Sequence, residues 1–530
     1  MLEELGTVTT ATTSPALARD EASIYQVLST LDTPIFVVRD QHGVAVTTDS
    51  DAARRAAVLA AAPAMRPESL GDPGFRAAHG VRYAYASGAM ANGIASDRLV
   101  VAMARAGFLA SFGAAAVVPA KIDEALATIR REAPGLPFAC NLIHSPSEPA
   151  LERAIVDACL RHEARCIEAS AFMDLTPFVV RYRLAGLERA TDGRVLAHNR
   201  IIAKVSRAEV AERFLRPAPE SLVRALRESG EITAEQAELA AMVPMADDIT
   251  GEADSGGHTD RRSLVVLLPA LVALRDRIRR ECGYPQQVRI GGAGGIGTPA
   301  AAAAAFTMGA SYVVTGSINQ ASVEADQSDA AKRLLAAAGV ADVEMAPSSD
   351  MFELGVDVQV LKRGTMFAGR ARKLYDAYRA YDGVDAIPAA ERAEMEQRIF
   401  QKSLDEVWTD CVQYFTERDP EQIERADGNP KRQMALIFRW YLGRASRWSI
   451  AAVPERLADY QIWCGPAMGG FNEWVAGTYL AAPANRQVAD IAVQIMRGAA
   501  FATRVAQLRA AGVRLPARCS TYVPVPQTSR

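Results

Sequence analysis

Short apolar segments alternate with amphipathic segments of helical period through the middle of the chain. The alternation predicts eight strands, which we place at residues 81–88, 108–113, 137–143, 165–171, 200–205, 244–250, 287–292 and 311–316. Helical periodicity fills most of the intervals, whereas residues 178–202 alternate around Asp192-Gly193 and predict a hairpin insertion. Eight strands within about 235 residues predict an α/β fold, a TIM (β/α)8 barrel.

Different patterns flank the predicted barrel, which we assign to residues 76–338. Residues 1–75 combine a tail rich in Thr, Ser and Ala, up to about residue 20, with a small α/β unit. After residue 339 long helical stripes return, the clearest at residues 395–415. Residues 339–530 are therefore predicted to be a mainly helical appendage that covers one mouth of the barrel.

The composition argues against several classes of protein, including nucleic-acid-binding, disulfide-rich and membrane-spanning proteins. Hydrophobic residues make up 49% of the chain, charged residues 23%, and the net charge is -3, so no electrostatic feature favours nucleic acid or an anionic membrane. The seven cysteines are scattered without a CxxC pair, which is typical of reduced thiols and predicts neither a disulfide frame nor a metal site. With no apolar signal segment or span in the sequence, we expect a cytoplasmic protein.

The stretch RIGGAGGIGTPAAAAAAFTMGASYVVTGSINQ, residues 289–320, contains a formal G-x-G-x-x-G that starts at Gly292. A Rossmann loop is one interpretation, but the next strand ends in Thr315-Gly316-Ser317 and supplies no carboxylate for a ribose. The seventh and eighth strands of a barrel commonly build a phosphate site from backbone N–H groups. We favour a phosphate-binding cup formed by Gly294, Gly295, Gly316 and Ser317.

Several separate segments carry a family resemblance. They are GGAGGIG through VVTGS (291–317), EADSGGHTD (252–260), NLIHSPSEPALE (141–152), IIAKVSR (201–207), residues 346–378 and CGPAMGGFNEW (464–474). In this order and spacing the chain resembles the PfaD-type trans-acting enoyl reductases, within the nitronate monooxygenase and FMN-dependent enoyl reductase group. The resemblance implies an FMN-bound barrel that uses NADPH to reduce enoyl thioesters carried on an acyl carrier protein, in polyketide or polyunsaturated fatty acid synthesis.

The resemblance also implies where the flavin would lie. Residues at the strand ends and in the glycine loops would bind it: Gly88, Ala89, Met90, Asn141, Lys204, Gly257, His258, Gly292, Gly294, Gly295, Gly316 and Ser317. Small residues at 88–90 would let a flat ring approach the backbone, and the Asn141 amide could match the ring edge. The alternatives are a simple turn at Gly88 and a strand-end cap at Asn141.

Three residues are candidates for the chemistry. Lys204, a charge on a strand, could face the anionic reduced flavin, or its ammonium could reach solvent or an internal carboxylate. His258 could position the ring or protonate the substrate, with Asp254 and Glu252 as acids that could orient it, or it could only cap its own loop. His144 is the rival proton donor, and the sequence does not rank the two histidines.

Carrier proteins are usually acidic, so a docking face should be basic. Two segments qualify, LKRGTMFAGRARK (361–373) and KRQMALIFRWYLGRASRW (431–448), although each is also typical of an ordinary solvated helix face. Two other functions stay open, a nitronate monooxygenase-like oxidase and a noncatalytic flavin-binding component of a synthase. The sequence leaves open whether the protein is a homo-oligomer and whether NADPH is preferred to NADH.

Overall fold

A computed structural model describes residues 17–146 and 148–526. The N-terminal unit consists of α1 (Glu21–Ser29), β1 (Ile35–Asp40), β2 (Gly43–Thr47), α2 (Ser50–Arg54) and β3 (Ala57–Ala62). Its strands form an antiparallel sheet in the order β2-β1-β3. The tail predicted for residues 1–20 lies mostly outside the described residues.

The eight predicted strands form one closed barrel, in which every neighbouring pair is parallel. They are β4 (Tyr85–Ser87), β5 (Leu109–Phe112), β6 (Ala139–Ile143), β7 (Cys166–Ser170), β10 (Arg200–Val205), β11 (Asp248–Glu252), β13 (Arg289–Ala293) and β14 (Val313–Thr315). The predicted TIM barrel is confirmed, and the strands close in chain order.

The barrel's helices begin where the sequence provides a cap or a proline. Those between β4 and the C-terminal segment are α4 (Asp97–Arg105), α5 (Pro119–Glu132), α6 (Pro149–Arg161), α7 (Pro177–Leu184), α8 (Ala208–Leu215), α9 (Glu220–Glu228), α10 (Ala234–Leu239), α11 (Leu264–Cys282), α12 (Pro299–Thr307) and α13 (Asp329–Ala336). Proline at the first helical position, as in α5, α6, α7 and α12, has a backbone angle already suited to a helix.

The predicted hairpin is present but shorter than expected. It consists of β8 (Leu187–Arg189) and β9 (Val195–Ala197) around the Asp192-Gly193 turn. The residues before it form α7 instead of a strand, because the Thr176 side chain accepts a hydrogen bond from the N–H of Val179 and starts a helix there.

One end of the barrel is closed by α3 (Pro73–His79), which precedes the first barrel strand. Phe75 is fully buried and stacks on Tyr312, with ring centroids 4.2 Å apart. Beside it, Asp248 accepts hydrogen bonds from Arg289 at 2.6 Å and pairs with His79 at 2.8 Å. Burial alone would raise the pKa of Asp248, but the contacts with Arg289 and His79 bring it below its usual value. The carboxyl ends of the strands are left as the accessible face.

The C-terminal segment forms a second layer over that face. Its strands β15 (Val343–Pro347) and β16 (Asp357–Leu361) pair with β12 (Gly257–His258) in the order β12-β16-β15. Its helices are α14 (Phe367–Ala380), α15 (Ala389–Met395), α16 (Leu404–Arg418), α17 (Glu421–Glu424), α18 (Pro430–Ile450) and α19 (Ala467–Val475). We call these elements the helical layer. Most of them share an apolar core of their own, which includes Phe352, Phe438 and Tyr441, whereas the buried side chains of α19 belong to the core of the barrel.

The helical stripe predicted at 395–415 is interrupted. Residues 396–400 form a turn of π-helix, Gln401 adopts a left-handed conformation with φ 56°, and α16 restarts behind a Ser403 capping box. Five apolar members of the stripe, Met395, Ile399, Leu404, Val407 and Cys411, are buried in the core of the layer as the pattern predicts.

The last helix, α20 (Val488–Ala510), leaves the helical layer and packs against α12 and α4 on the outside of the barrel. Its Arg504 is completely buried and donates hydrogen bonds to main-chain carbonyls of the N-terminal unit, among them those of Thr30 and Thr33 at 2.8 Å. The domain limits at 75 and 338 remain a proposal, since this helix belongs to the outer layer of the barrel. Across the described residues, none of the helices combines the length and apolar character that crossing a bilayer demands.

Candidate functional site

A cavity of about 1490 Å³ lies between the carboxyl ends of the barrel strands and the helical layer. It is larger than typical ligand pockets of about 300–1,000 Å³, so it has room for a cofactor and a substrate together. Its lining includes most of the sequence-predicted site residues: Gly88, Ala89, Met90, Asn141, Lys204, Gly257, His258, Gly294, Gly295, Gly316 and Ser317. Gly292 and His144 are not part of the lining.

The predicted cup forms where β13 and β14 end. Gly294 and Gly295 adopt positive φ of 83° and 72°, a conformation that favours glycine. A Cβ atom on Gly294 would lie 2.6 Å from the carbonyl carbon of Ala253, whereas Cβ positions on Gly295 and Gly316 meet no atom within 4 Å. Within the described chain, the N–H groups of Gly295, Gly316 and Ser317 make no hydrogen bond. The cup therefore presents unsatisfied donors to the cavity and fits an anion.

The glycine that opens the formal motif has a different place. Gly292 lies inside β13, and a Cβ atom there would point at Leu264 and Ala305, 3.5–3.8 Å away. These are ordinary van der Waals distances, so the outer helices would accommodate a Cβ atom, and Gly292 faces them and not the cavity. The Ser317 hydroxyl accepts a hydrogen bond from the N–H of Gly465 at 3.0 Å, which ties the CGPAMGG segment to the cup.

The first and third strands supply the opposite part of the lining. The N–H of Gly88 donates to the carbonyl of Thr315 at 2.9 Å, and that of Ala89 faces the Glu168 carboxylate at 3.3 Å. The Asn141 amide donates to the Glu168 carbonyl at 3.0 Å and to Ser170 Oγ at 2.8 Å. Asn141 therefore acts as the strand-end cap that was the alternative interpretation of this residue. It also borders the cavity, so a contact with a ligand there stays a proposal.

Lys204 lies between two carboxylates. Its Nζ is 3.4 Å from Glu168 and 3.3 Å from Glu252. The ammonium therefore contacts internal carboxylates, which was one of the alternatives that the sequence left open. Burial would lower the pKa of Lys204, but Glu252 and Glu168 raise it and keep the ammonium charged. Burial raises the pKa of Glu168 in spite of the lysine. Sequence reasoning missed Glu168, although a carboxylate in the apolar strand 166–170 was a signal of the same kind as Lys204.

His258 lies on β12, where β16 pairs with it. Its Nε2 is 3.2 Å from Asp350 Oδ1 and 3.2 Å from Ser348 Oγ, and Ser348 also hydrogen-bonds to Asp350. Burial would lower the pKa of His258, but the Asp350 carboxylate raises it above the usual value. The same pairing brings the pKa of Asp350 well below its usual range, against the effect of burial. A protonated imidazole is thus favoured at the cavity wall.

The acids that the sequence nominated for His258 have other partners. Asp254 accepts a hydrogen bond from Gln359 Nε2 at 2.9 Å, and Glu252 binds Ser255 as well as Lys204. The orienting acid is Asp350, which lies 92 positions further along the chain. The pairing of β12 with β16 brings it to the histidine, and no local sequence signal marks that pairing.

His144 has its own partners outside the lining. Its Nδ1 is 3.3 Å from Glu152 on α6, and its ring stacks on Phe172 with centroids 5.2 Å apart. Between the two histidines, only His258 borders the cavity. We therefore retain His258 as the candidate proton donor.

Two domain families match parts of the chain. Residues 13–64 match the fatty acid synthase subunit PfaD N-terminal domain, and residues 381–460 match the inserted helical domain of [acyl-carrier-protein] S-malonyltransferase. The first covers most of the N-terminal unit, and the second falls within the helical layer.

Longer similarities extend over most of the chain. It is 47% identical over 489 residues to a polyunsaturated fatty acid synthase component of Thraustochytrium sp., a match that covers 90% of this chain and 32% of the relative. It is 44% identical over 430 residues to polyketide biosynthesis protein PksE of Bacillus subtilis, covering 81% and 56%. The chain therefore spans only about a third to a half of the length of these curated relatives.

The chain is also similar to a solved structure. The enoyl reductase domain of MlnA, from the macrolactin biosynthesis cluster of Bacillus amyloliquefaciens, superimposes with a TM-score of 0.80 at 39% identity. The match covers 84% of this chain and 99% of that domain. The fold that the two share therefore extends over most of this chain.

Proposed function

Because the chain belongs to the PfaD-type enoyl reductases of polyketide and polyunsaturated fatty acid synthases, we propose that it is an FMN-dependent enoyl reductase. It would use NADPH and act in trans on α,β-unsaturated thioesters held by an acyl carrier protein. The observation that carries the proposal is the convergence on one cavity of an open backbone cup, a charged lysine and a histidine paired with an acid.

The residues fit the proposed cofactor. The unsatisfied N–H groups of Gly295, Gly316 and Ser317 would hold the phosphate of FMN. The main chain at residues 88–90, which lines the cavity, would be the surface on which the flat ring packs. Lys204, kept charged by its carboxylates, offers positive charge at the cavity wall. Bound FMN, supplied with electrons by NADPH, would provide the hydride that the β carbon of the substrate requires.

The protein's own groups account for the remaining proton. His258 would hold a proton at an imidazole nitrogen and deliver it to the α carbon, while Asp350 and Ser348 fix the orientation of the ring. Because Asp350 favours the imidazolium, the acid form is available near neutral pH. The helical layer over the strand ends would exclude water and oxygen from the site.

The test is the consumption of NADPH in the presence of an enoyl thioester on a carrier protein. We expect a yellow protein that releases FMN on denaturation and oxidises NADPH only when the thioester is added. The His258→Ala variant should keep its FMN but lose turnover by about a hundredfold or more. Oxygen-dependent oxidation of a nitronate instead would support the oxidase, and flavin without either activity would support a noncatalytic synthase component.

A further inference from the structure

Two arginines at the edge of the cavity carry charge that the fold leaves available. Arg444 and Arg447 lie three positions apart on α18, so they project from the same face of that helix, and both are exposed and line the cavity. Within the described part of the chain, neither forms an ion pair. The guanidinium of Arg444 is 5.7 Å from the ring centroid of Trp440, which gives it a supporting surface.

Most other cations of the two basic segments are neutralised within the fold. Arg363 pairs with Asp342, Arg370 with Asp459, Arg372 with Asp357, Lys373 with Glu394, and Arg432 and Arg439 both pair with Glu353. Arg207 also lines the cavity but is paired with Asp260, and Arg262 adds a further exposed cation to the lining. The segment 361–373 is thereby largely committed to structure, while the end of α18 retains available positive charge beside the cavity.

Exposed apolar side chains also line this cavity. Met173 is 58% exposed and Val266 is 68% exposed, and both line the cavity. A ligand that carries an anionic group at one position and apolar groups at another would find partners for both in this lining. A phosphate is the anion that arginine binds best, because the planar donor fork matches its oxygens.

We propose that Arg444 and Arg447 bind the phosphate of the pantetheine arm that carries the enoyl thioester, so that the thioester is held inside the cavity that His258 borders. This inference rests on the proposed function and locates its substrate arm. The phosphate of NADPH is the other source of the same chemistry. We favour the arm because α18 belongs to the helical layer at the cavity edge, where an arm attached to an external protein has to pass.

The experiment compares two substrates that differ only in the phosphate, an enoyl-phosphopantetheine thioester and the corresponding enoyl-pantetheine thioester. The variants are Arg444→Gln, Arg447→Gln and the double variant. Lys362→Gln is the matched control, since Lys362 is exposed, forms no ion pair with any described residue and lies outside the cavity lining. We expect the double variant to raise KM for the phosphorylated substrate by about tenfold or more. The KM for the unphosphorylated substrate and for NADPH should stay within about twofold, as should kcat.

A second measurement does not depend on turnover. Calorimetric titration with an unreactive thioether of phosphopantetheine should show the same loss of affinity in the double variant and none in Lys362→Gln. Equal effects on both thioesters, or a rise in KM for NADPH alone, would overturn the assignment. If the wild-type protein reduces neither these thioesters nor an enoyl thioester on a carrier protein, the proposed function fails, and the titration still decides whether the arginines bind the phosphate.

Discussion

At the scale of single residues, the contact between His258 and Asp350 should set the pH range of the reaction. The Asp350 carboxylate is the main influence that raises the pKa of the imidazole, so this pKa falls in Asp350→Asn, where burial still acts to lower it. An activity that needs the protonated ring is then lost earlier as the pH is raised. We expect the alkaline limb of the kcat profile to move down by about one pH unit or more.

The same shift should be visible without turnover in an NMR titration of the His258 ring. Asp254→Asn is the matched control, because Asp254 binds Gln359 and makes no contact with the histidine. An Asp350→Asn protein whose imidazole titrates as in the wild type would show that the carboxylate does not hold the proton on His258.

Individual residues also show where sequence reasoning reaches its limit. Glycines at strand ends indicated the cup, because only a backbone without side chains can approach a phosphate there. A charge in an apolar strand indicated Lys204, and the same signal at Glu168 was missed. Asp350 could not be predicted, because its position depends on a pairing between strands about a hundred residues apart. His144 and His258 both follow barrel strands, and only the fold shows which one borders the cavity.

At the scale of elements, the two loops of the cup can be tested separately from the fold around them. Gly316 has an ordinary φ of -131°, and a Cβ atom there meets no neighbour within 4 Å, so Gly316→Ala should fold normally. A methyl group there would take up open space at the cup, where we propose that the phosphate binds. We expect the affinity for FMN to fall about tenfold or more while the circular dichroism spectrum and melting temperature stay unchanged.

The matched control is Gly369→Ala, where a Cβ atom also meets nothing within 4 Å but lies on α14, away from the cavity lining. This variant should retain FMN and gain slightly in stability, as alanine is the better helix former. Full retention of FMN in Gly316→Ala would remove Gly316 from the phosphate site.

The elements themselves were predictable where the pattern repeats. The barrel could be predicted because the same strand–helix pattern occurs eight times, so an error in one unit does not change the predicted fold. The strands β15 and β16 were missed, since they are only five residues long each and occur once, next to helical segments. The start of α7 was missed for a related reason: alternation in FVVRYRL suggested a strand, and the Thr176 cap with Pro177 favoured a helix.

At the scale of the whole molecule, Arg504 joins the two ends of the chain. It donates hydrogen bonds to the carbonyls of Leu28, Thr30, Leu31, Thr33 and Pro63 and has no acidic partner among them. Burial lowers its pKa to about 10, which leaves it charged at neutral pH. Arg504→Met removes the donors and leaves buried carbonyls unsatisfied, so we expect the free energy of unfolding to fall by about 3 kcal/mol.

Urea denaturation measures that loss, and hydrogen exchange should show faster opening around residues 28–33. Arg509→Met, on an exposed part of the same helix, should change the free energy of unfolding by less than about 1 kcal/mol. Equal stabilities of the two variants would mean that α20 and the N-terminal unit are held together by apolar contacts alone.

The position of α20 against α12 and α4 also means that the outer layer of the barrel is completed only late in the synthesis of the chain. A ribosome releases the barrel strands long before it reaches residue 510, so the outer surface beside α12 and α4 stays uncovered while the remaining residues are translated. A nascent chain that stalls after the last strand therefore exposes apolar surface to chaperones and proteases. Premature termination should for this reason yield a degraded product instead of a smaller working barrel.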